Sequence, residues 1–203
     1  MKQKQVRVAL WLSLFVVVGL VALAAAQPAP RADHYEVVAD GLSSPRHLAF
    51  NAEGTLYVAE AGSGGDQCIG EGENQRCIGT SGAITVIDGD TQERLADDLV
   101  SYALADGSDT TGPHDVAWDG EGNLMVIVGL GANPDLRGTD AFFGAISNNL
   151  GQLVQVAANG TWTNEIDVAA YEATANPDGG ELDSNPYAIE RVDGGYLVAD
   201  AGA

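Results

Sequence analysis

The sequence predicts an all-β chain of repeated sheets, a β-propeller, on two observations. One strand–turn–strand pattern occurs three times, and 26 glycines punctuate short apolar runs of strand length. The clearest copy is 111–131. His114 to Trp118 forms its first strand, Asp119-Gly-Glu-Gly122 its turn, and Leu124-Met-Val-Ile-Val128 a continuous apolar second strand. A copy 68 residues earlier aligns without a gap: Pro45 with Pro113, Phe50 with Trp118, Gly54 with Gly122 and Val58 with Val126. The third copy, from Asn185 to Gly202, lies 73 residues further on and has a turn one residue shorter. Propeller blades are four-stranded repeats of about 40–50 residues, so these longer units must carry insertions.

Residues 1–26 read as a targeting segment. Lys2, Lys4 and Arg7 precede an apolar run, and Ala24-Ala-Ala26 offers a small-residue cleavage site. An uncleaved anchor is the alternative, because the run approaches the ~20 residues that span a bilayer. Either way the remainder is expected outside the cytoplasm, secreted or periplasmic, with a membrane as partner only if the signal is retained. Residues 27–34 read as a linker, and 35–203 as the propeller domain.

Charge excludes some functions. Three of the nine basic residues precede residue 27 and none of the 29 acidic ones does. The mature part therefore sets six bases against 29 acids and holds no lysine. A surface this negative repels nucleic acid and anionic lipid, and lysine-based covalent chemistry is unavailable. A solvated acidic face is the simple reading; a bound cation such as Ca²⁺ is the sharper one.

The elements are expected in the following order. Residues 35–42 form a lone strand of the kind that closes a propeller ring by joining its last blade. The first unit has inner strands near 46–51 and 55–60 and outer strands near 83–88 and 93–99, joined by a turn at Asp88-Gly89. Its insertion, 61–82, holds Cys68 and Cys77, which in an exported protein read as a disulfide. In 103–112, Asp106, Ser108 and Asp109 suggest Ca²⁺, but their spacing departs from a 12-residue calcium loop, so a turn is expected. The second unit has a longer insertion, 130–150, in which Asp140 to Leu150 suggest a short helix or an irregular lid. Strands follow at 153–156 and 161–168 around Asn159-Gly160, and one or two helical turns at 169–175. The third unit stops after its second strand. With two complete units, half of a third and one extra strand, the chain is expected to be the N-terminal part of a longer protein or a truncated gene.

Several runs carry a family resemblance. Gly41-Leu-Ser-Ser-Pro-Arg-His-Leu-Ala-Phe50, Thr111-Gly-Pro-His-Asp-Val-Ala-Trp118, Val128-Gly-Leu-Gly131 and Asp183-Ser-Asn-Pro-Tyr187 resemble the ScyD/ScyE family, named for the scytonemin pigment clusters of cyanobacteria. The two-cysteine insertion and Val168 to Gly180 resemble it as well. The resemblance spans nearly all of 35–202 and implies an exported propeller, six-bladed when complete. It implies no catalytic residue.

Two function classes follow. In the first the propeller binds a small molecule or a protein at its channel, without chemistry. In the second it is an enzyme. Gly112-Pro-His114 followed by Gly122-Asn-Leu-Met-Val126 is similar in outline to soluble quinoprotein sugar dehydrogenases, although Asp115-Val116 stand where those carry glycines. Metal-dependent lactonases of the gluconolactonase type use Glu, Asn and Asp, and Glu60, Asn185 and Asp200 supply those residue types. The aligned repeats place Arg46, His114 and Tyr187 just after the shared proline, with His47 and Asp115 one place on and Asn185 just before. These six are the candidate binding residues at the channel mouth. His114 is the leading one, and a hydrogen bond from such a residue to the neighbouring unit is the structural alternative.

Overall fold

Each of the three repeats folds as an antiparallel hairpin with the same irregularity in the same place. The computed structural model describes residues 36–119 and 121–202, and the targeting segment and the whole linker lie outside them. The hairpins are β1 (Pro45–Phe50) with β2 (Leu56–Glu60), β6 (Pro113–Trp118) with β7 (Leu124–Val128), and β10 (Pro186–Val192) with β11 (Gly195–Asp200). Pro45 pairs with Glu60, Pro113 with Val128 and Pro186 with Asp200, and in all three the register slips immediately after the proline. A bulge there fits the residue type, because proline donates nothing to a ladder and is tolerated at strand starts and bulges. A backbone bond recurs beside it. Ala61 N–H donates to Ser44 O, Gly129 to Gly112 O and Ala201 to Asn185 O, in each case tying the end of the second strand to the residue before the proline.

The first hairpin extends through β4 (Arg76–Asp88) to β5 (Thr91–Leu104), and β3 (Gln67–Ile69) pairs with the start of β4. The second extends through β8 (Gln152–Val156) to β9 (Trp162–Asp167). The third hairpin stands as a two-stranded sheet.

The middle sheet is covered on both faces, which explains the continuous apolar run. Leu124, Val126 and Val128 of β7, with Val154 and Val156 of β8, pack into one core with Ala59, Ile84, Leu99 and Val100 of the first sheet. The intervening Met125 and Ile127, with Leu153, pack against Ile189, Tyr196 and Val198 of the third hairpin. Alternate residues of one strand thus serve two cores, so neither face tolerates a polar residue. The outer hairpins are covered on one face only. Leu48 and Phe50 on β1 and Leu197 on β11 point away from the cores and are 57%, 61% and 63% exposed.

Three expectations need correction. The strand expected at 35–42 is not seen in the described residues 36–42, which pair with no edge among the described residues. Asp40 is instead held by the Gln92 side chain, whose Nε2 donates to Asp40 O at 2.8 Å. The outer strands of the first unit are far longer than 83–88 and 93–99. Their bulged ladder continues through Gly79 and Gly82 to the cysteine hairpin. Gly79 and Gly65 stand so close that a Cβ on Gly65 would lie 2.5 Å from Gly79 Cα, so these glycines mark backbone contact rather than a loop. The β4–β5 turn sits at Gly89-Asp90, one residue later than the expected Asp88-Gly89.

The remaining elements fall where the sequence puts them. The insertion at 130–150 is a series of short 3-10 turns, Pro134–Leu136, Asp140–Phe142 and Gly144–Asn149, and α1 (Ala169–Ala175) packs on the first of these. Cys68 and Cys77 pair directly across β3 and β4 and are disulfide-bonded. Asp106 accepts from Ser108 N–H at 2.9 Å and from its hydroxyl at 2.6 Å, a turn closed by its own side chains.

Candidate functional site

The bulge after each proline turns one or two side chains toward the neighbouring hairpin, and these side chains meet. They are Arg46 and His47 in the first hairpin, His114 in the second and Tyr187 in the third. The His47 and Tyr187 rings meet edge to face at 5.5 Å between centroids, and the His114 and Tyr187 rings lie 4.8 Å apart. A relay of hydrogen bonds runs through the same residues. His47 Nδ1–H donates to His114 O at 3.0 Å, and His114 Nδ1–H donates to Pro186 O at 3.0 Å. The carbonyl acceptors place a proton on Nδ1 in both rings.

His114 is 1% exposed. Burial comes first among the causes that bring its pKa down to about 4, and the charges of Arg46 and His47 add to it; the bond to Pro186 opposes them. At neutral pH His114 is therefore an uncharged imidazole. Its ring lies on Gly129, where an added Cβ would come within 2.2 Å of His114 Cε1. That contact accounts for the first glycine of Val128-Gly-Leu-Gly131. The second, Gly131, has φ +61°, and its carbonyl together with that of Leu130 accepts from the buried Tyr102 hydroxyl.

Asp115 also works between hairpins. One oxygen accepts from Val116 N–H at 2.8 Å and the other from Ile189 N–H of β10 at 2.9 Å. Asn185 Oδ1 accepts from Leu130 N–H at 3.2 Å. Of the six candidates, then, His114, Asp115 and Asn185 are committed to joining the second and third hairpins. Arg46 is exposed and His47 and Tyr187 are half-buried; they present the accessible side of the cluster. Arg46 spends one guanidinium nitrogen on Thr110 O.

Glu60 and Asp200, at matching positions opposite the prolines, have local duties. Glu60 is fully buried and accepts from Ser43 N–H, the Thr85 hydroxyl and the Arg94 guanidinium, the last at 3.0 Å. Burial alone would raise its carboxyl, but those three donors together outweigh it and hold the pKa below its usual value. Asp200 accepts from Asn185 N–H at 2.6 Å, Gly202 N–H at 2.9 Å and Ser184 Oγ at 2.7 Å. Each carboxylate thus clamps the segment leading into its own hairpin. Among the described residues no group of three or more His, Cys, Asp or Glu side chains comes together as a metal centre of those residue types.

Sequence reasoning placed these residues together and offered a hydrogen bond to the neighbouring unit as the structural alternative, but it did not identify the accepting carbonyls. A bond from a side chain in one repeat to a backbone carbonyl in the next leaves no residue-type signal at the accepting position. No family model, curated protein or solved structure matches the chain.

Proposed function

We propose that the chain is part of an exported β-propeller of the ScyD/ScyE type that binds a ligand at the inner ends of its blades without chemistry. One observation carries this reading: three consecutive hairpins each contribute a ring from the same bulge, and the rings form one cluster. Stacked hairpins that meet through their first strands suit a propeller, six-bladed when complete. The disulfide suits an oxidising compartment. No helix among the described residues is long and apolar enough to cross a membrane.

The accessible groups define the ligand. Tyr187 offers a ring face, His47 its Nε2 edge and Arg46 its remaining guanidinium donors, in a chain that is otherwise strongly acidic. A small molecule or protein side chain with a planar ring and a carboxylate matches the Tyr187 ring and the Arg46 guanidinium. His114, uncharged and sealed, positions the others and is not a proton donor at neutral pH.

Calorimetric titration of the wild type, Arg46→Ala and Tyr187→Ala with 4-hydroxybenzoate, a quinone and simple sugars tests the reading. Saturable binding of a planar carboxylate, weakened at least tenfold in both variants, supports it. Equal binding by all three proteins, or turnover of any probe, overturns it.

A further inference from the structure

We infer that Glu172 of α1 (Ala169–Ala175), Asn176 at its C-terminal cap and Asp183 in the loop that follows frame a binding site for one Ca²⁺ ion. Among the described residues five buried side-chain polar atoms lack a hydrogen-bond partner, and four of them lie here: both carboxylate oxygens of Glu172, Asn176 Oδ1 and Asp183 Oδ1. All four are acceptors. Glu172 is only 2% exposed, and the charges acting on its carboxylate are those of Asp178, Asp200 and Asp183, with no basic group among them.

A covered carboxylate surrounded by acids and reached by no donor is an expensive arrangement unless a proton or a cation completes it. The backbone is built to present these oxygens. Asn176 adopts the left-handed conformation at the helix end, φ +37°, and its N–H donates to Glu172 O at 3.0 Å. Its Nδ2 is spent on Gly180 O at 3.1 Å, which leaves Oδ1 as the free group. Asp178 Oδ1 and both oxygens of Asp200 already accept backbone or hydroxyl hydrogens, so they supply field more than ligands.

The donor set selects the ion. Only two carboxylates and one amide oxygen are orphaned, and no imidazole or thiolate is present, so a transition metal is disfavoured. Ca²⁺ accepts about six to eight oxygens in a flexible geometry, mixing carboxylate, amide, main-chain and water ligands, which a loop of this composition provides. Mg²⁺ demands a stricter octahedron that this loop does not impose.

The test uses the full chain, stripped with a chelator and titrated with CaCl₂ by calorimetry at physiological ionic strength, where diffuse binding to an acidic surface is screened. One saturable site per chain is expected. Glu172→Gln should weaken it at least tenfold. Asn176→Gly, which keeps the backbone conformation and deletes Oδ1, should weaken it too, while Asp90→Asn on the β4–β5 turn should leave it unchanged. CaCl₂ should raise the melting temperature of the wild type but not of Glu172→Gln. Absence of saturable uptake overturns the proposal, as does wild-type affinity in either site variant or an equal loss in Asp90→Asn. A Glu172→Gln protein more stable than a Ca²⁺-indifferent wild type also overturns it, because that result assigns the carboxyl a proton.

Discussion

The Nδ1–H of His114 donates to the carbonyl oxygen of Pro186, 72 residues along the chain, at 3.0 Å. This bond joins two hairpins at the same point in their repeats, and it makes stability depend on pH. The folded pKa, about 4, lies below the ordinary value of 6.5. The unfolded chain therefore binds the extra proton first, and His114's contribution is fully present above about pH 6.5 and lost as pH falls toward 4. The shift corresponds to about 3 kcal/mol. Urea midpoints measured from pH 7 to pH 4 should show this decline, and His114→Gln should flatten it.

Gly129→Ala should destabilise the chain by about 1–3 kcal/mol, since the new methyl overlaps the His114 ring in a packed site. The ring cannot withdraw without surrendering its bond to Pro186. Chemical denaturation checks the magnitude. A double variant with His114→Ala should recover part of the loss, which a purely local effect at Gly129 would not allow.

Reduction of Cys68–Cys77 should cost about 2–3 kcal/mol on the chain-entropy view, given a sequence separation of 9. The effect should stay local. The hairpin is also fastened by Gln67 Nε2 donating to Phe143 O at 2.8 Å, so β3 should fray while the three main hairpins persist. Amide exchange with and without reductant separates local from global opening.

Phe50→Thr and Leu197→Gln should lower self-association of the isolated 203-residue chain with little change in stability. Both side chains are more than half exposed, on the uncovered faces of the outer hairpins. Light scattering across a concentration series measures this, and unchanged scattering in the double variant would count against these faces as the contact.

Much of this arrangement was legible in the sequence because it is local. Proline, aromatic, glycine and alternating apolar residues specify a hairpin from within some 18 positions, and all three hairpins fall where the repeat places them; the bulges after the prolines appear only in the structure. The cysteine pair was legible for the same reason. The length of β4 and β5 was not. Gly79, Thr80, Ser81 and Gly82 read as a loop, and only the close backbone neighbours of the glycines reveal strand. The strand expected at 35–42 is not formed by the described residues 36–42, because extended propensity needs a partner edge and they pair with none among the described residues. At the site, the sequence placed Arg46, His47, His114 and Tyr187 together but gave His114 the leading contact. Its burial and its bond to Pro186 come from the third hairpin, and the residues around His114 do not encode them. The orphaned oxygens of Glu172, Asn176 and Asp183 were equally hidden, since an acid with a missing partner looks the same in sequence as an acid in solvent.

The middle strand, β7, works like a partition wall with a tenant on each side. Val126 belongs to the room shared with the first sheet and Ile127 to the room shared with the third hairpin, though they are consecutive residues. Truncating one and then the other therefore interrogates two separate contacts from a single backbone position. If the two sheets dock in sequence during folding, the neighbouring variants will report different times, and one short strand will give the order in which the repeats assemble.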